Sequence, residues 1–328
     1  MPSDRVLDVR GLTVEYGTDA GAVVAVDNVD LHVGPGEFVG VVGESGCGKS
    51  TLLFAIARLL SPPAAITAGT VDFRGDNLAA MSEKELNVLR WRDLSVVMQS
   101  AMNALNPVKS IGAQFRDTLV AHGNAKAEIA NRSVEVLKLV GIDPIHLRSY
   151  PHQLSGGMRQ RAMIAMALLF TPELVIMDEP TSALDVVAQR SLMVQIKELQ
   201  ERLGFAVLFV THDMSLVSHF SDRLVVMYAG QVVESGPTRT VFDQPAHPYS
   251  RGLLDAFPSI RGPRLHLTGI PGRPPELRNP PSGCRFHPRC PVEMGHCKAI
   301  APDLYPVGTS HARCLQHVPA ADTAAVMP

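Results

Sequence analysis

The chain has 328 residues, of which 46% are hydrophobic and 19% charged, and a formal net charge of −2. That is room for one large domain or two ordinary ones around a buried core, and the near-neutral balance supplies no basic field of the kind nucleic-acid binding uses. No apolar run approaches the roughly 18 residues that span a bilayer, and the opening MPSDRVLDVR has no apolar stretch behind positive charge, so neither a membrane span nor a signal peptide is expected and the cytosol is.

Taken in chain order, short β-branched runs alternate with longer helical patterns over the first 240 residues, which reads as an α/β domain with a largely parallel sheet. Val23 to His32 and Phe38 to Val42 are the first candidate strands. Phe38 to Val42 runs into GESGCGKST, where Gly43, Gly48, Lys49 and Ser50 satisfy GxxxxGK followed by Ser or Thr, and a helix-like Thr51 to Leu60 follows. Strand, loop and helix in that order make a P-loop. Its glycines turn backbone amides onto phosphate, Lys49 faces the β and γ groups, and Ser50 reaches magnesium, while Ser45, Gly46, Cys47 and Thr51 complete the cradle. Cys47 reads as a small filler and not a nucleophile.

Between about Glu83 and Leu139 the pattern is helical without an intervening strand, which suggests a helical insertion at about residues 83–140. LSGGMRQR at Leu154 to Arg161 then places Ser155, Gly156 and Gly157 before a strong helix, a second anion-binding helix start. Leu174 to Met177 is an apolar strand that ends in Asp178 and Glu179. Beside a P-loop, Asp178 is placed to bind magnesium and Glu179 to polarise an attacking water; the plain alternative is a carboxylate pair capping the next helix. Further strands are expected at Ala206 to Thr211, ahead of His212, and at Arg223 to Tyr228. From Pro258 a succession of prolines blocks regular helix and central strand, which sets a boundary near residue 258. The residues after His317 read as a disordered end.

With these residues in place the chain resembles the ATP-binding cassette (ABC) ATPases over about residues 5 to 240. In that family LSGGMRQR is the signature motif that contacts the γ-phosphate of ATP held by the other subunit. The resemblance implies that Tyr16 stacks on adenine, and that Gln99 approaches magnesium and water and hinges the insertion. It further implies that Ser182 to Asp185 crosses the dimer seam and that His212 is the switch at the γ-phosphate. Singly, these residues read as a strand aromatic, a surface glutamine and a loop histidine; their order around the P-loop and signature favours the family roles. The implied fold is a P-loop α/β core with an antiparallel β subdomain, a helical insertion and a small Cys/Pro-rich C-terminal extension, divided as residues 1–257 and 258–328. The implied cofactors are ATP and magnesium, the latter held by Ser50, Gln99 and Asp178.

QSAMNALNPV, HPYSRGLLDAFP and PGRPPELRNPPSGCRFHPRCP resemble the oligopeptide/dipeptide importer branch. That implies a second cassette, commonly a related but different chain, two transmembrane permease subunits gripped by the insertion, and an extracytoplasmic binding protein. It also implies a peripheral position at the cytoplasmic face of the cell membrane. Cys284, Cys290, Cys297 and Cys314 fall within 31 residues, and four thiolates leave both zinc and a 4Fe-4S cluster open. Branch members with this tail hold a 4Fe-4S cluster, which the resemblance carries over, with zinc, free thiols, disulfides (disfavoured in a reducing compartment) or a His287 or His296 ligand as alternatives. Nickel or oligosaccharides are the alternative cargoes. A soluble cassette ATPase of translation or DNA maintenance and an ATP-binding redox sensor are the alternative functions.

Overall fold

The computed structural model describes residues 5–99, 104–182, 184–256 and 269–319. It divides into two interleaved compact units: residues 1–7, 32–38 and 72–209 form the first, and residues 8–31, 39–71 and 210–328 the second. The sequence division at 258 does not separate them. Residues beyond it are knitted into the second unit because Ser310–Ala312 pairs antiparallel with Gln231–Pro237, and Tyr305–Val307 pairs with Ser310–Ala312 in turn. Prolines therefore exclude regular structure only locally.

In the first unit the strands Leu94–Val97, Leu174–Asp178 and Ala206–Val210 lie side by side. Leu94–Val97 pairs in parallel with Leu174–Met177. This strand corrects the expectation of an uninterrupted helical insertion. Four residues, LSVV, carry too little period to stand out, and the parallel partner lies about 80 residues away. Among the described residues the insertion includes the helices Glu83–Leu89, Ile111–Ala121 and Lys126–Leu139. All five residues of both Leu174–Asp178 and Ala206–Val210 are buried, as parallel strands covered on both faces must be. Val186–Leu203 presents Leu192, Met193, Ile196, Leu199 and Gln200 inward at helical spacing and stops at Gly204 with φ 79°, a left-handed residue where glycine carries no Cβ penalty.

The second unit orders Tyr305–Val307, Ser310–Ala312, Gln231–Pro237, Arg223–Tyr228 and Phe38–Val42 side by side. Val39 to Val42 run parallel to Arg223 to Val226. Most of the strands Leu7–Thr18, Gly21–Val33 and Ala64–Phe73 also belong here, as a separate sheet with Leu7–Thr18 in the middle. Only Asp19 and Ala20 connect the first two, a link short enough only for an antiparallel pair. The expected antiparallel subdomain is thus present. Among the described residues no helix is long and apolar enough to cross a membrane.

Candidate functional site

The P-loop is built where the expectation placed it, between the fully buried strand Phe38–Val42 and the helix Lys49–Ile56. The helix ends at Ile56, four residues short of Leu60. Gly43 has φ 155° and Gly48 φ 104°. A Cβ at Gly43 would run into the Met227 carbonyl, and one at Gly48 into that of Ala25, so only glycine lets the loop pass this close to its neighbours. Lys49 is buried, with Nζ donating to the carbonyls of Gly43 at 2.8 Å and Glu44 at 2.9 Å. Gly230 N–H donates to the Cys47 carbonyl at 2.9 Å. Ser45 and Gly46 are exposed at the loop tip and Ser50 is half-buried. Burial pushes the Cys47 thiol up, against the pull of the Lys49 ammonium; that is the behaviour of a filler and not of a nucleophile.

Tyr16 is half-buried, and its hydroxyl lies 3.1 Å from Thr51 Oγ1. Its ring therefore stands beside the helix start. Thr211 N–H donates to the Val41 carbonyl at 3.2 Å, which brings the exposed His212 to the same end of the second unit as the phosphate loop.

The first unit assembles a second constellation. Asp178 closes its strand 2% exposed, and Glu179 follows with φ 45°. Because Leu94–Val97 and Leu174–Met177 run in parallel register, Gln99 emerges beside Glu179 and its Nε2 donates to Glu179 Oε2 at 2.5 Å. Gln160, from the signature helix, donates to the Pro180 carbonyl. Ser155 caps the helix Gly156–Ala167, its Oγ accepting from Met158 N–H at 3.2 Å. Nothing stands within 4 Å of a Cβ built on Gly157, so this helix start is open to an incoming group. Asp185 caps Val186–Leu203 by accepting from the N–H groups of Val187 and Ala188.

In the tail, Cys284, Cys290, Cys297 and Cys314 line one small cavity together with His287 and His247, and none is in a disulfide. Burial pushes the Cys284 thiol up to about 11, and neighbouring thiols add to the shift. Cys290 and Cys314 move the same way for the same first reason. Among the described residues no group of three or more His, Cys, Asp or Glu is close enough to hold a metal ion. The iron-sulfur or zinc site expected from the sequence is therefore not formed by these side chains as they stand.

Residues 26–182 match the family profile described as ABC transporter, and residues 233–297 that described as Oligopeptide/dipeptide transporter, C-terminal region. The oligopeptide transport ATP-binding protein OppD of Salmonella typhimurium is 42% identical over 304 residues, covering 92% of this chain and 90% of its own. The dipeptide transport ATP-binding protein DppD of Caldanaerobacter subterraneus subsp. tengcongensis is 40% identical, covering 94% of this chain and 96% of its own. A dimeric ATP-binding cassette solved in a post-hydrolysis state with ADP and Pi superimposes with a TM-score of 0.64 at 30% identity, over 71% of this chain and 99% of that one. This chain belongs to the ABC transporter family, oligopeptide/dipeptide branch.

As a member of that family the cassette is an ATPase. Several of the motif stretches reach beyond what can be placed. Ser100 to Asn103, Ala183, Phe257, Pro258 and the final residues from Ala320 lie outside the described residues. Sequence reasoning also passed over side chains that hold the cassette's phosphate loop. Glu44 occupies an unspecified position of the motif, and Tyr249 sits in HPYSRGLLD, yet the Tyr249 hydroxyl accepts from Glu44 N–H at 2.9 Å. A motif written as x gives no signal for such a partner.

Proposed function

We propose that this cassette is the ATP-hydrolysing subunit of an importer of dipeptides or oligopeptides. The hydrolytic part of the reading is carried by one observation: Glu179, directly after the strand-end Asp178, is held by Gln99 at 2.5 Å. A carboxylate so oriented is suited to polarise water, with Asp178 and Gln99 holding magnesium beside it. Gly43, Ser45, Gly46, Cys47, Gly48, Lys49, Ser50 and Thr51 cradle the phosphates, Tyr16 stacks on the base, and His212 senses the γ-phosphate. Ser155, Gly156 and Gly157 act on ATP held by a second cassette. Val186 and Val187, 79% and 80% exposed after the Ser182 to Asp185 stretch, support a pairing surface there.

Two permease subunits and an extracytoplasmic binding protein complete the assembly, which puts the cassette at the cytoplasmic face of the membrane. Val108, Val120 and Ile145 expose apolar surface on and around the helical insertion, in support of a permease contact. In this reading residues 1–257 carry the nucleotide chemistry and residues 258–328 the extension. The extension takes a 4Fe-4S cluster, with zinc as the second candidate. The shared cavity supports this reading: burial pushes the Cys284, Cys290 and Cys314 thiols up, and a cation there would favour their thiolates.

The test is reconstitution of the cassette with its permease in vesicles. ATP hydrolysis stimulated by peptide-loaded binding protein is expected. Stimulation by nickel or oligosaccharide alone would overturn the cargo, and association with ribosomes or DNA in place of a permease would overturn transport. Anaerobic purification followed by iron, sulfide and zinc analysis checks the cluster; a chain free of all three has no metal there.

A further inference from the structure

The tail makes one contact that a stapled extension does not require. Arg289, 6% exposed on its side chain, grips Glu44 of the phosphate loop with both ends of its guanidinium: Nη1 to Oε2 at 2.6 Å and Nη2 to Oε1 at 2.9 Å. Its Nε donates to the Pro271 carbonyl at 2.8 Å, and Nη1 also reaches the Tyr228 hydroxyl at 3.3 Å. Each bond fixes the guanidinium in plane and distance, and a two-pronged Arg–carboxylate pair is the most directional ion pair available to side chains.

Glu44 is held at three points. Its carboxylate is in the Arg289 fork, its N–H donates to the Tyr249 hydroxyl at 2.9 Å, and its carbonyl accepts from Lys49 Nζ at 2.9 Å. The first two anchors come from beyond residue 240, and the third is the lysine that must meet phosphate. The Arg289 backbone is fixed in turn. It ends the short helical turn His287–Arg289, which sits between Cys284 and Cys290; His287 N–H donates to the Cys284 carbonyl at 3.0 Å, and Cys290 N–H to the His287 carbonyl at 3.2 Å. The fork therefore has a rigid base.

We infer that Arg289 is a positioning residue for nucleotide: it holds Glu44, and through it the start of the phosphate loop and the Lys49 ammonium, in the arrangement that receives the phosphates. This rests on the reading of Gly43 to Thr51 as the phosphate cradle. Ordering the loop before ATP arrives removes that entropy from the binding step. It gives the C-terminal extension a part in nucleotide affinity besides its part in stability.

The experiment measures the affinity of the full chain for a fluorescent ATP analogue with magnesium, well below the melting temperature. Arg289→Gln and Glu44→Gln are each expected to weaken binding about tenfold, the scale of losing one hydrogen bond to a charged group. The double variant should be no weaker than either single, because both remove one interaction. Arg289→Lys, which keeps the charge and loses the fork, should recover part of the affinity. Arg313→Gln serves as the control: Arg313 Nε donates to the Val232 carbonyl at 2.9 Å and ties down the tail elsewhere. It should lower thermal stability and leave affinity unchanged. Single variants within twofold of the parent would overturn the proposal, as would a double variant showing the product of the single losses, or an Arg313→Gln loss equal to that of Arg289→Gln. Should Arg289→Gln fail to fold, Glu44→Gln, on a residue one quarter exposed, carries the test. A parent chain that does not bind the analogue would remove the phosphate-loop reading itself.

Discussion

Glu179, the proposed water-polarising carboxylate, has a backbone that a side chain rarely adopts. Its φ of 45° costs about 1–3 kcal/mol relative to relaxed conformations. Its carbonyl accepts from Ser182 N–H at 3.2 Å and its carboxylate from Gln99. Surrounding bonds thus hold a strained residue with the carboxylate aimed by a neighbour. Replacing Glu179 by Gln keeps the shape and removes the proposed base. Nucleotide binding should survive while phosphate release in the reconstituted complex falls at least about 100-fold, the lower range for loss of a general base; undiminished turnover would take Glu179 out of that role. Cys47 offers a second check at this scale. With its thiol buried and its pKa raised, alkylation of the folded chain near pH 7.5 should be slow at Cys47, and rapid labelling seen by peptide mapping would contradict a filler. Cys47 itself fills a position the motif leaves open, whereas the loop around it and the Asp178–Glu179 pair were readable from sequence because a phosphate loop and a strand-end carboxylate pair each need fixed residue types at fixed spacing. Glu44 and Arg289 were not, since their partnership spans 245 residues and neither motif names it.

At the scale of elements, strand ends were legible where apolar runs are long. Phe38–Val42 and Arg223–Tyr228 are observed with the bounds expected of them, whereas Leu94–Val97 was hidden among helices. The helix Pro248–Asp255 shows how a short element is anchored. His247 caps it through Nδ1, which accepts from Tyr249 N–H at 3.0 Å, and His247 N–H donates to the buried Glu234 carboxylate at 2.8 Å. A ring nitrogen that accepts carries no proton, and burial lowers the His247 pKa from 6.5 to about 3. Between those values an unfolded chain binds the proton and the folded chain does not. Stability from this group is therefore full above pH 6.5 and is lost as the pH falls toward 3. Glu234, whose pKa burial raises from 4.5, acts with the opposite sign above pH 4.5, favouring the fold more as the pH falls. The comparison is consequently between chains that both retain it. The melting temperature should drop more between pH 7 and pH 5 in the parent than in His247→Asn, which keeps a capping oxygen and loses the titration. Equal drops in the two would show that His247 does not govern this dependence.

For the molecule as a whole, the packing of the tail within the second unit makes it part of the cassette's stability. Phe286 is 2% exposed and packs on Tyr228, Tyr249 and His247 with centroids 5.2 to 5.6 Å apart. Arg285 pairs with Asp27 at 2.5 Å. Ser310–Ala312 covers the edge of Gln231–Pro237. Burying one aromatic side chain contributes about 2–3 kcal/mol, and each kcal/mol moves the melting temperature of a domain this size by about 2–4 °C. A chain ending at residue 257 should then melt about 10 °C lower and aggregate more readily through the bared strand edge. An unchanged melting temperature in calorimetry would make the tail an independent appendage.

What the sequence by itself determined was the ATP chemistry. Phosphate binding is executed by consecutive backbone amides and a few adjacent side chains, and those requirements are local enough to be written as GESGCGKST, LSGGMRQR and LVIMDEP. Tertiary structure alone decided that Gln99 meets Glu179, that the four tail thiols share one cavity, and that Arg289 reaches back to Glu44. Such pairings depend on strand order and on the packing of segments tens to hundreds of residues apart, which leave no period in the chain.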